Sequence, residues 1–194
     1  MLKEKLKIYN IFLGSASPRR KKLLEDLGII FSIKKTQKEE KYPEGLKEAK
    51  IAKFLAKKKA NFISKKLSDN YLLITADTIV VEKNEVIHKP KDKNEAIQIL
   101  KRLSGKTHKV ISGVCIKTNL KEIVFSELTE VSFNKLSEEE IIYYIEHFNP
   151  FDKAGSYGIQ EWIGHIGIKA IKGSYNNVIG LPTTALYQKL KLFT

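Results

Sequence analysis

The order of apolar and polar residues along this 194-residue chain predicts alternating strands and helices. Short apolar runs, typical of strands, cover residues 7–14, 29–34, 71–82, 109–118 and 123–134. Apolar residues with the spacing of one helix face cover residues 18–27, 46–66, 95–103, 138–147 and 182–192. Residues 155–180 are rich in Gly, Ile and Tyr, which favours hairpins and tight turns. This order predicts a single α/β domain over residues 1–194 with a mixed sheet flanked by helices.

The composition is typical of a globular protein with a full core, since 42% of the residues are hydrophobic and 29% are charged. The apolar runs are too short to cross a bilayer, and the first residues lack the long apolar stretch of a signal peptide. Cys115 is the one cysteine, which excludes an internal disulfide framework and a Cys-rich zinc site. We therefore expect a cytoplasmic protein without a membrane partner.

The net charge of +13 raises the alternative of a nucleic-acid-binding protein. The lysines are nevertheless spread along the whole chain, and neither a zinc finger nor an aromatic RNA-binding motif accompanies them. Lysine-rich solvated faces explain the surplus about as well as a polyanion does, and a triphosphate substrate would also benefit from the positive field. Charge alone therefore leaves a nucleic-acid-binding protein open, although the sequence does not favour it.

A pair of arginines marks a candidate anion site, because the chain has three arginines and 32 lysines. Arg19 and Arg20 follow an apolar run and a turn that contains Ser15 and Ser17. The guanidinium fork suits phosphate or carboxylate oxygens, and a helix beginning at Pro18 would present backbone N–H groups to the same anion. The alternative is a helix N-terminus at which both arginines are solvated.

Asp77 is the second candidate, because it lies inside a run apolar enough to be an interior strand. Burial of a carboxylate is costly unless it is paired or binds a metal, so an acid at this position indicates a base or a metal ligand. The alternative is an aspartate at a strand end whose oxygens accept backbone N–H bonds.

Several further residues carry a weaker signal when each is taken alone. Glu40 lies in a polar loop, Lys59 on a lysine-rich helix, and Lys89 after a predicted hairpin. In the glycine-rich segment 152–160, Lys153 and Gln160 offer groups suited to a phosphate or to the edge of a nucleobase. By composition alone, all of these positions are more typical of solvated or structural residues.

Taken in order, these segments resemble the Maf family of nucleoside triphosphate pyrophosphatases over almost the whole chain. The segments that carry the resemblance are Ser15-Ala-Ser-Pro-Arg-Arg, Glu39-Glu40, Leu55-Ala-Lys-Lys-Lys-Ala, Ala76-Asp-Thr, Lys89-Pro, Leu103-Ser-Gly-Lys-Thr-His, Asp152-Lys-Ala-Gly, Tyr157-Gly-Ile-Gln, and Gly173-Ser-Tyr with Val178-Ile-Gly-Leu-Pro. The sequence differs from the commonest family pattern at two places. Gly14 stands where Ala often precedes the first serine, and Glu161-Trp162 stand where a glycine often follows the glutamine.

The resemblance implies an elongated mixed sheet with two lobes around a nucleotide cleft, as in the inosine triphosphate pyrophosphatases, and often a homodimer. It implies hydrolysis of a nucleoside triphosphate between its α and β phosphates, a house-cleaning reaction of nucleotide metabolism. Arg19, Thr78 and Gln160 match positions that mark the dTTP/UTP branch. The alternative within the family is a pyrophosphatase for 7-methylguanosine or purine triphosphates; the 7-methylguanosine branch usually has Gln after the aspartate and Glu in place of Gln160. The alternative from another class is a nucleic-acid-binding regulator of cell division.

The resemblance also assigns roles to individual residues. Asp77 aligns with the catalytic acid and would activate the attacking water directly or through a bound metal, two roles that the sequence does not separate. Mg²⁺ or Mn²⁺ would bind phosphate oxygens together with Glu40 and Asp77. The remaining residues expected to contact the substrate, mostly through its phosphates, are Ser15, Ser17, Arg19, Arg20, Lys59, Lys89 and Lys153.

Overall fold

The computed structural model describes residues 2–35, 41–68 and 70–194. Its strands are β1 (Asn10–Leu13), β2 (Ser32–Ile33), β3 (Tyr71–Glu82), β4 (Glu85–Ile87), β5 (Thr107–Lys117), β6 (Glu122–Phe133) and β7 (Ile168–Lys172). Its helices are α1 (Leu2–Lys5), α2 (Pro18–Asp26), α3 (Ala49–Ser64), α4 (Lys93–Leu103), α5 (Glu138–Phe148), α6 (Trp162–Gly167), α7 (Tyr175–Ile179) and α8 (Thr183–Leu190).

The strands in these ranges form one mixed sheet in the order β2-β1-β3-β5-β6-β7, with β4 paired to β3. Strand β1 is parallel to both β2 and β3, whereas the β3–β4 and β6–β7 pairs are antiparallel. The predicted α/β class with a mixed sheet is therefore confirmed. The cleft between two lobes stays a prediction.

The chain divides into two compact units. The first comprises the described residues of Met1–Asp77, Ser112–Glu127 and Gly180–Thr194, and the second comprises Thr78–Ile111 and Leu128–Ile179. Strands β3, β5 and β6 contribute residues to both units. The single domain over residues 1–194 stays a prediction.

Helix α3 packs closely on the sheet within the first unit. Its small residues Ala56 and Ala60 are fully buried, together with Leu73 of β3 and Cys115 of β5. A Cβ atom on Gly113 of β5 would lie 2.2 Å from the backbone of Ala52, so only glycine permits this approach of helix to strand. The second unit has its own core, in which α4, α5 and the buried ends of β3, β5 and β6 supply the apolar residues.

The predicted segments match the structure best where the pattern is long. Strand β3 has the predicted bounds, and the predicted hairpin after it is formed by Lys83 and Asn84, both with positive φ. Helix α5 begins with the capping box of Ser137 and Glu140. Strand β1 is shorter than predicted, because residues 2–8 are helical, and β2 keeps two residues of the predicted six.

The prediction of hairpins and tight turns over residues 155–180 is wrong in part. This segment contains helices α6 and α7 on either side of β7. Gly164, which favours a turn by composition, lies inside α6, where a Cβ atom would be 1.8 Å from the carbonyl oxygen of Ile159. Close backbone packing rather than turn chemistry therefore requires this glycine. Among the helices in the described ranges, none combines the length and apolarity needed to cross a bilayer.

Candidate active site

The arginine pair lies at the N-terminus of α2, in the first unit. Ser17 is the N-cap, and its hydroxyl accepts a hydrogen bond from the backbone N–H of Arg20 at 3.4 Å, while Pro18 occupies the first turn. The hydroxyl of Ser15 accepts from the backbone N–H of Ser17 at 3.2 Å. The predicted strand-to-helix junction is therefore confirmed, and two serine hydroxyls organise its turn.

Arg20 is also anchored within the first unit. Its Nε donates to the carbonyl oxygen of Gly180 at 2.8 Å, and Nη1 lies 3.5 Å from the hydroxyl of Ser15. Arg19 and Arg20 are both half-buried. Arg20 thus has a structural role, because it connects α2 to the segment that precedes α8. That it also contacts phosphate stays a prediction.

Asp77 and Lys59 form a buried ion pair in the first unit. Nζ of Lys59 donates to Oδ2 of Asp77 at 2.9 Å, and their side chains are 14% and 6% exposed. The hydroxyl of Thr75, two residues earlier in β3, donates to the carbonyl oxygen of Ala56 in α3 at 2.8 Å and so fixes the register of strand and helix. The expectation of a buried aspartate is confirmed, and its burial is compensated by a cation.

The sequence alone could not distinguish Lys59 from the other lysines near it. Seven other lysines lie in residues 46–66, the region of the chain that was predicted to form this helix. Lys59 differs from them in being largely buried and paired with Asp77, whereas Lys57, for example, pairs with Glu122 at the surface. The pairing is made through space, between a helix and a strand, so no spacing rule along the chain marks it.

Four further predicted site residues belong to the second unit: Thr78, Lys89, Lys153 and Gln160. Thr78 follows Asp77 in β3 and is half-buried, and Lys89 is exposed in the loop after β4. Lys153 is 8% exposed, and its ammonium lies 2.8 Å from Oδ1 of Asp152 and 3.1 Å from Oε1 of Glu161. A lysine held by two carboxylates has a structural role in this arrangement, so its contact with substrate stays a prediction.

Gln160 contacts Glu161, which the sequence analysis noted only as a difference from the commonest family pattern. Its Nε2 donates to Oε1 of Glu161 at 3.4 Å. Its Oε1 is buried and has no hydrogen-bond partner among the residues that the structure describes. Glu161 is the residue that sequence reasoning left without a role, since a carboxylate after Gln160 gives no motif by itself.

The metal prediction rests on Glu40 and Asp77. Glu40, like Glu39, lies outside the described residues. Within residues 2–35, 41–68 and 70–194, no cluster of three or more His, Cys, Asp or Glu side chains could hold a metal ion. The single carboxylate of Asp77 is compatible with Mg²⁺, because proteins commonly bind this ion through one or two carboxylates while substrate phosphates supply further ligands.

Two other chemically notable side chains, Cys115 and His108, are buried and have structural roles. Cys115 is buried in β5, and burial raises the pKa of its thiol to about 12, which disfavours a thiolate nucleophile. His108 is buried in the second unit, where its Nε2 and the hydroxyl of Tyr157 lie 2.8 Å apart. Burial lowers the pKa of His108 to about 4, so its imidazole is neutral at pH 7.

Comparisons with known proteins agree with the motif pattern. The family model described as "Maf-like protein" matches residues 10–193. A protein of Flavobacterium johnsoniae named dTTP/UTP pyrophosphatase is 48% identical over 190 residues, which are 98% of each chain. Proteins of the same name are 49% identical in Porphyromonas gingivalis (98% of this chain, 97% of the relative) and 51% in Phocaeicola vulgatus (97% and 98%).

A solved structure with a weaker likeness is a nucleoside-triphosphatase, or dITP/XTP pyrophosphatase, from Mycobacterium abscessus. It matches with a TM-score of 0.40 and 15% identity, over 64% of this chain and 72% of the other.

Proposed function

The chain belongs to the Maf-like protein family, and from that membership we infer that it hydrolyses dTTP and UTP to the nucleoside monophosphate and pyrophosphate. The relatives that carry this name are 48–51% identical over nearly their whole length, which supports the same substrates here. The proposed reaction is cleavage of the phosphoanhydride between the α and β phosphates by water.

The buried pair of Lys59 and Asp77 is the observation that carries this proposal. Burial of a carboxylate that is 6% exposed, with a lysine at 2.9 Å, costs desolvation free energy, and this cost supports a role for Asp77 beyond packing. In the proposed reaction an oxygen of Asp77 accepts the proton of the attacking water, and the ammonium of Lys59 stabilises negative charge on the phosphates.

The N-terminal turn of α2 is the proposed binding site for the phosphate chain. The N-terminus of α2 carries the positive end of the helix dipole, which favours an anion at this position, while the hydroxyl of Ser17 already binds the backbone N–H of Arg20. The guanidinium groups of Arg19 and Arg20 add a cationic fork of the kind that binds phosphate oxygens in pairs.

A divalent cation is the proposed cofactor. Asp77, with Glu40, would hold Mg²⁺ or Mn²⁺ together with the substrate phosphates. When bound, such a cation neutralises charge that develops on the departing pyrophosphate. Among the residues that the structure describes, the carboxylate of Asp77 supports this proposal, and no complete ligand set of protein side chains does.

Base selection is the proposed role of Thr78 and Gln160 in the second unit, as the resemblance to the dTTP/UTP branch implies. An amide side chain suits this role, because it offers one hydrogen-bond donor group and one acceptor group to the edge of a base. Lys89 and Lys153 are proposed to add positive charge for the substrate. The homodimer and the cytoplasmic location stay predictions of the sequence.

The test is pyrophosphate release from a panel of nucleoside triphosphates with Mg²⁺ or Mn²⁺. The panel contains dTTP, UTP, CTP, ATP, GTP, ITP and 7-methylguanosine triphosphate, and the products are separated to show one monophosphate and one pyrophosphate per turnover. We expect the highest kcat/KM for dTTP and UTP. A best substrate among the purine or 7-methylguanosine nucleotides would overturn the proposed specificity, and release of orthophosphate would overturn the proposed reaction.

A further inference from the structure

Glu161 is the centre of a hydrogen-bonded network inside the second unit. Its carboxylate is 19% exposed. One oxygen, Oε1, lies 3.1 Å from Nζ of Lys153 and 3.4 Å from Nε2 of Gln160. The other oxygen, Oε2, accepts a hydrogen bond from the hydroxyl of Tyr144. Both oxygens of the carboxylate are therefore engaged by donors, and one of those donors belongs to the proposed base-selecting residue.

Tyr144 and Gly158 fix the position of the Glu161 carboxylate. Tyr144 is fully buried in α5, and its hydroxyl accepts from the backbone N–H of Gly158 at 2.9 Å while it donates to Glu161. Burial and the neighbouring carboxylate raise the pKa of Tyr144, so its hydroxyl remains a donor. A Cβ atom on Gly158 would lie 2.5–2.8 Å from the carboxylate of Glu161, which shows how closely the backbone approaches it.

This fixed carboxylate determines the orientation of the Gln160 amide. An ionised carboxylate only accepts hydrogen bonds, so it attracts the NH₂ end of the amide and repels its oxygen. Rotation of the amide by about 180° would place Oε1 of Gln160 against Oε1 of Glu161 and would lose the contact with Nε2. Glu161 thus favours one of the two orientations that a glutamine amide can adopt.

The orientation matters because uracil and thymine differ from cytosine in hydrogen-bonding pattern. Position 4 of uracil and thymine is an acceptor oxygen, whereas position 4 of cytosine is a donor amino group. An amide that rotates freely can serve both patterns, and an amide held in one orientation can serve only one of them.

We propose that Glu161 is a positioning residue for base selection. Because Oε1 of Gln160 is buried and Nε2 is held at Glu161, the amide offers its second N–H to the base, which suits the 4-oxygen of uracil and thymine and not the amino group of cytosine. The proposal rests on the proposed function, since it assigns the specificity of that site to a residue beside it. It also gives Glu161 a role that the network of Lys153, Tyr144 and Gly158 supports geometrically.

The substitution Glu161→Gln tests the proposal, because a neutral amide offers either a donor or an acceptor and no longer selects one orientation of Gln160. The matched control is Glu146→Gln, which removes a carboxylate of the same unit that pairs with Lys93 at the surface. For both variants and the wild type we would measure kcat/KM with UTP, dTTP, CTP and dCTP, together with the thermal unfolding midpoint.

We expect the preference for UTP over CTP to fall by about tenfold in Glu161→Gln, as the loss of one hydrogen-bond constraint would give, and to stay unchanged in Glu146→Gln. A general loss of activity with an unchanged ratio would show a merely structural role and would overturn the proposal. Tyr144→Phe, which removes one of the groups that fix the carboxylate, should lower the ratio in the same direction. An unchanged ratio in this variant together with Glu161→Gln would contradict the network argument.

Failure of the proposed function is distinguishable from failure of this inference. A wild-type protein that releases no pyrophosphate from dTTP or UTP contradicts the proposed function. Calorimetric binding of UTP and CTP then still tests Glu161, because a wild-type preference for UTP that Glu161→Gln removes supports the positioning role. Equal affinities in the wild type, or a preference that the variant retains, contradict it.

Discussion

The buried imidazole of His108 predicts that the protein loses stability as the pH falls below 6.5. His108 lies in β5 and is 1% exposed, with the rings of Phe133 and Tyr157 at centroid distances of 5.4 and 5.5 Å. Its Nδ1 has no hydrogen-bond partner within the described part of the chain. Burial therefore lowers the pKa of His108 from 6.5 to about 4, although the charge of Glu82 opposes the shift.

The sign follows from where the proton binds. Between pH 6.5 and pH 4 the unfolded chain binds a proton at His108 that the folded chain does not bind, so acidification favours unfolding. The stabilising contribution is complete above pH 6.5 and is lost progressively down to pH 4. A separation of 2.5 pH units corresponds to about 3 kcal/mol in total, of which about 2 kcal/mol is lost by pH 5.

Urea denaturation at pH 7.5 and at pH 5.0 measures this loss for the wild type and for His108→Gln. The variant cannot protonate at this position, so its free energy of unfolding should change by about 2 kcal/mol less between the two pH values than that of the wild type. The control is His165→Gln, which removes an exposed histidine of the same unit and should retain the wild-type difference. An equal pH dependence in His108→Gln and the wild type would refute the argument.

The remaining predictions concern phosphate binding by the arginine pair, the packing of α3 and the cofactor. Arg19→Lys keeps the charge but loses the planar fork, and we expect kcat/KM for dTTP to fall by roughly tenfold or more; steady-state kinetics that show unchanged rate and substrate preference would contradict the role of the pair. Gly113→Ala places a methyl group 2.2 Å from the backbone of Ala52, which should lower the free energy of unfolding by about 3 kcal/mol or more in urea denaturation; a loss under about 0.5 kcal/mol would contradict the close approach. Removal of divalent cations with a chelator should abolish pyrophosphate release while circular dichroism stays unchanged, and added Mg²⁺ should restore the rate; full activity after exhaustive chelation would exclude the cofactor.

The sequence predicted the parts of the fold whose pattern is long enough to be distinctive. Strand β3 is a mostly apolar run rich in β-branched residues and flanked by polar segments, and its predicted bounds agree with the structure. Helix α5 combines a capping box with a clear apolar face. Helices α6 and α7 have six and five residues, which is less than two turns each, so they show no periodicity that sequence reasoning can detect.

The sequence predicted one member of the candidate site from its own residues and left its partners unidentified. Asp77 was identifiable because an acid within an apolar strand is rare and costly. Its partner Lys59 was not identifiable from the residues alone, because the pairing depends on the register between α3 and β3. Glu161 was missed for a similar reason, since its importance lies in contacts with Tyr144, which is 17 residues away, and with Lys153.

The central claim is that the buried carboxylate of Asp77 performs the chemistry. The most direct test is pyrophosphate release from dTTP by Asp77→Asn, compared with the wild type and with Asp26→Asn, which changes an aspartate paired with Lys22 at the surface. We expect the rate to fall on the order of 10² to 10⁴-fold in Asp77→Asn, with a folded circular dichroism spectrum, and to remain at the wild-type level in Asp26→Asn. Near-normal pyrophosphate release by folded Asp77→Asn would contradict the account.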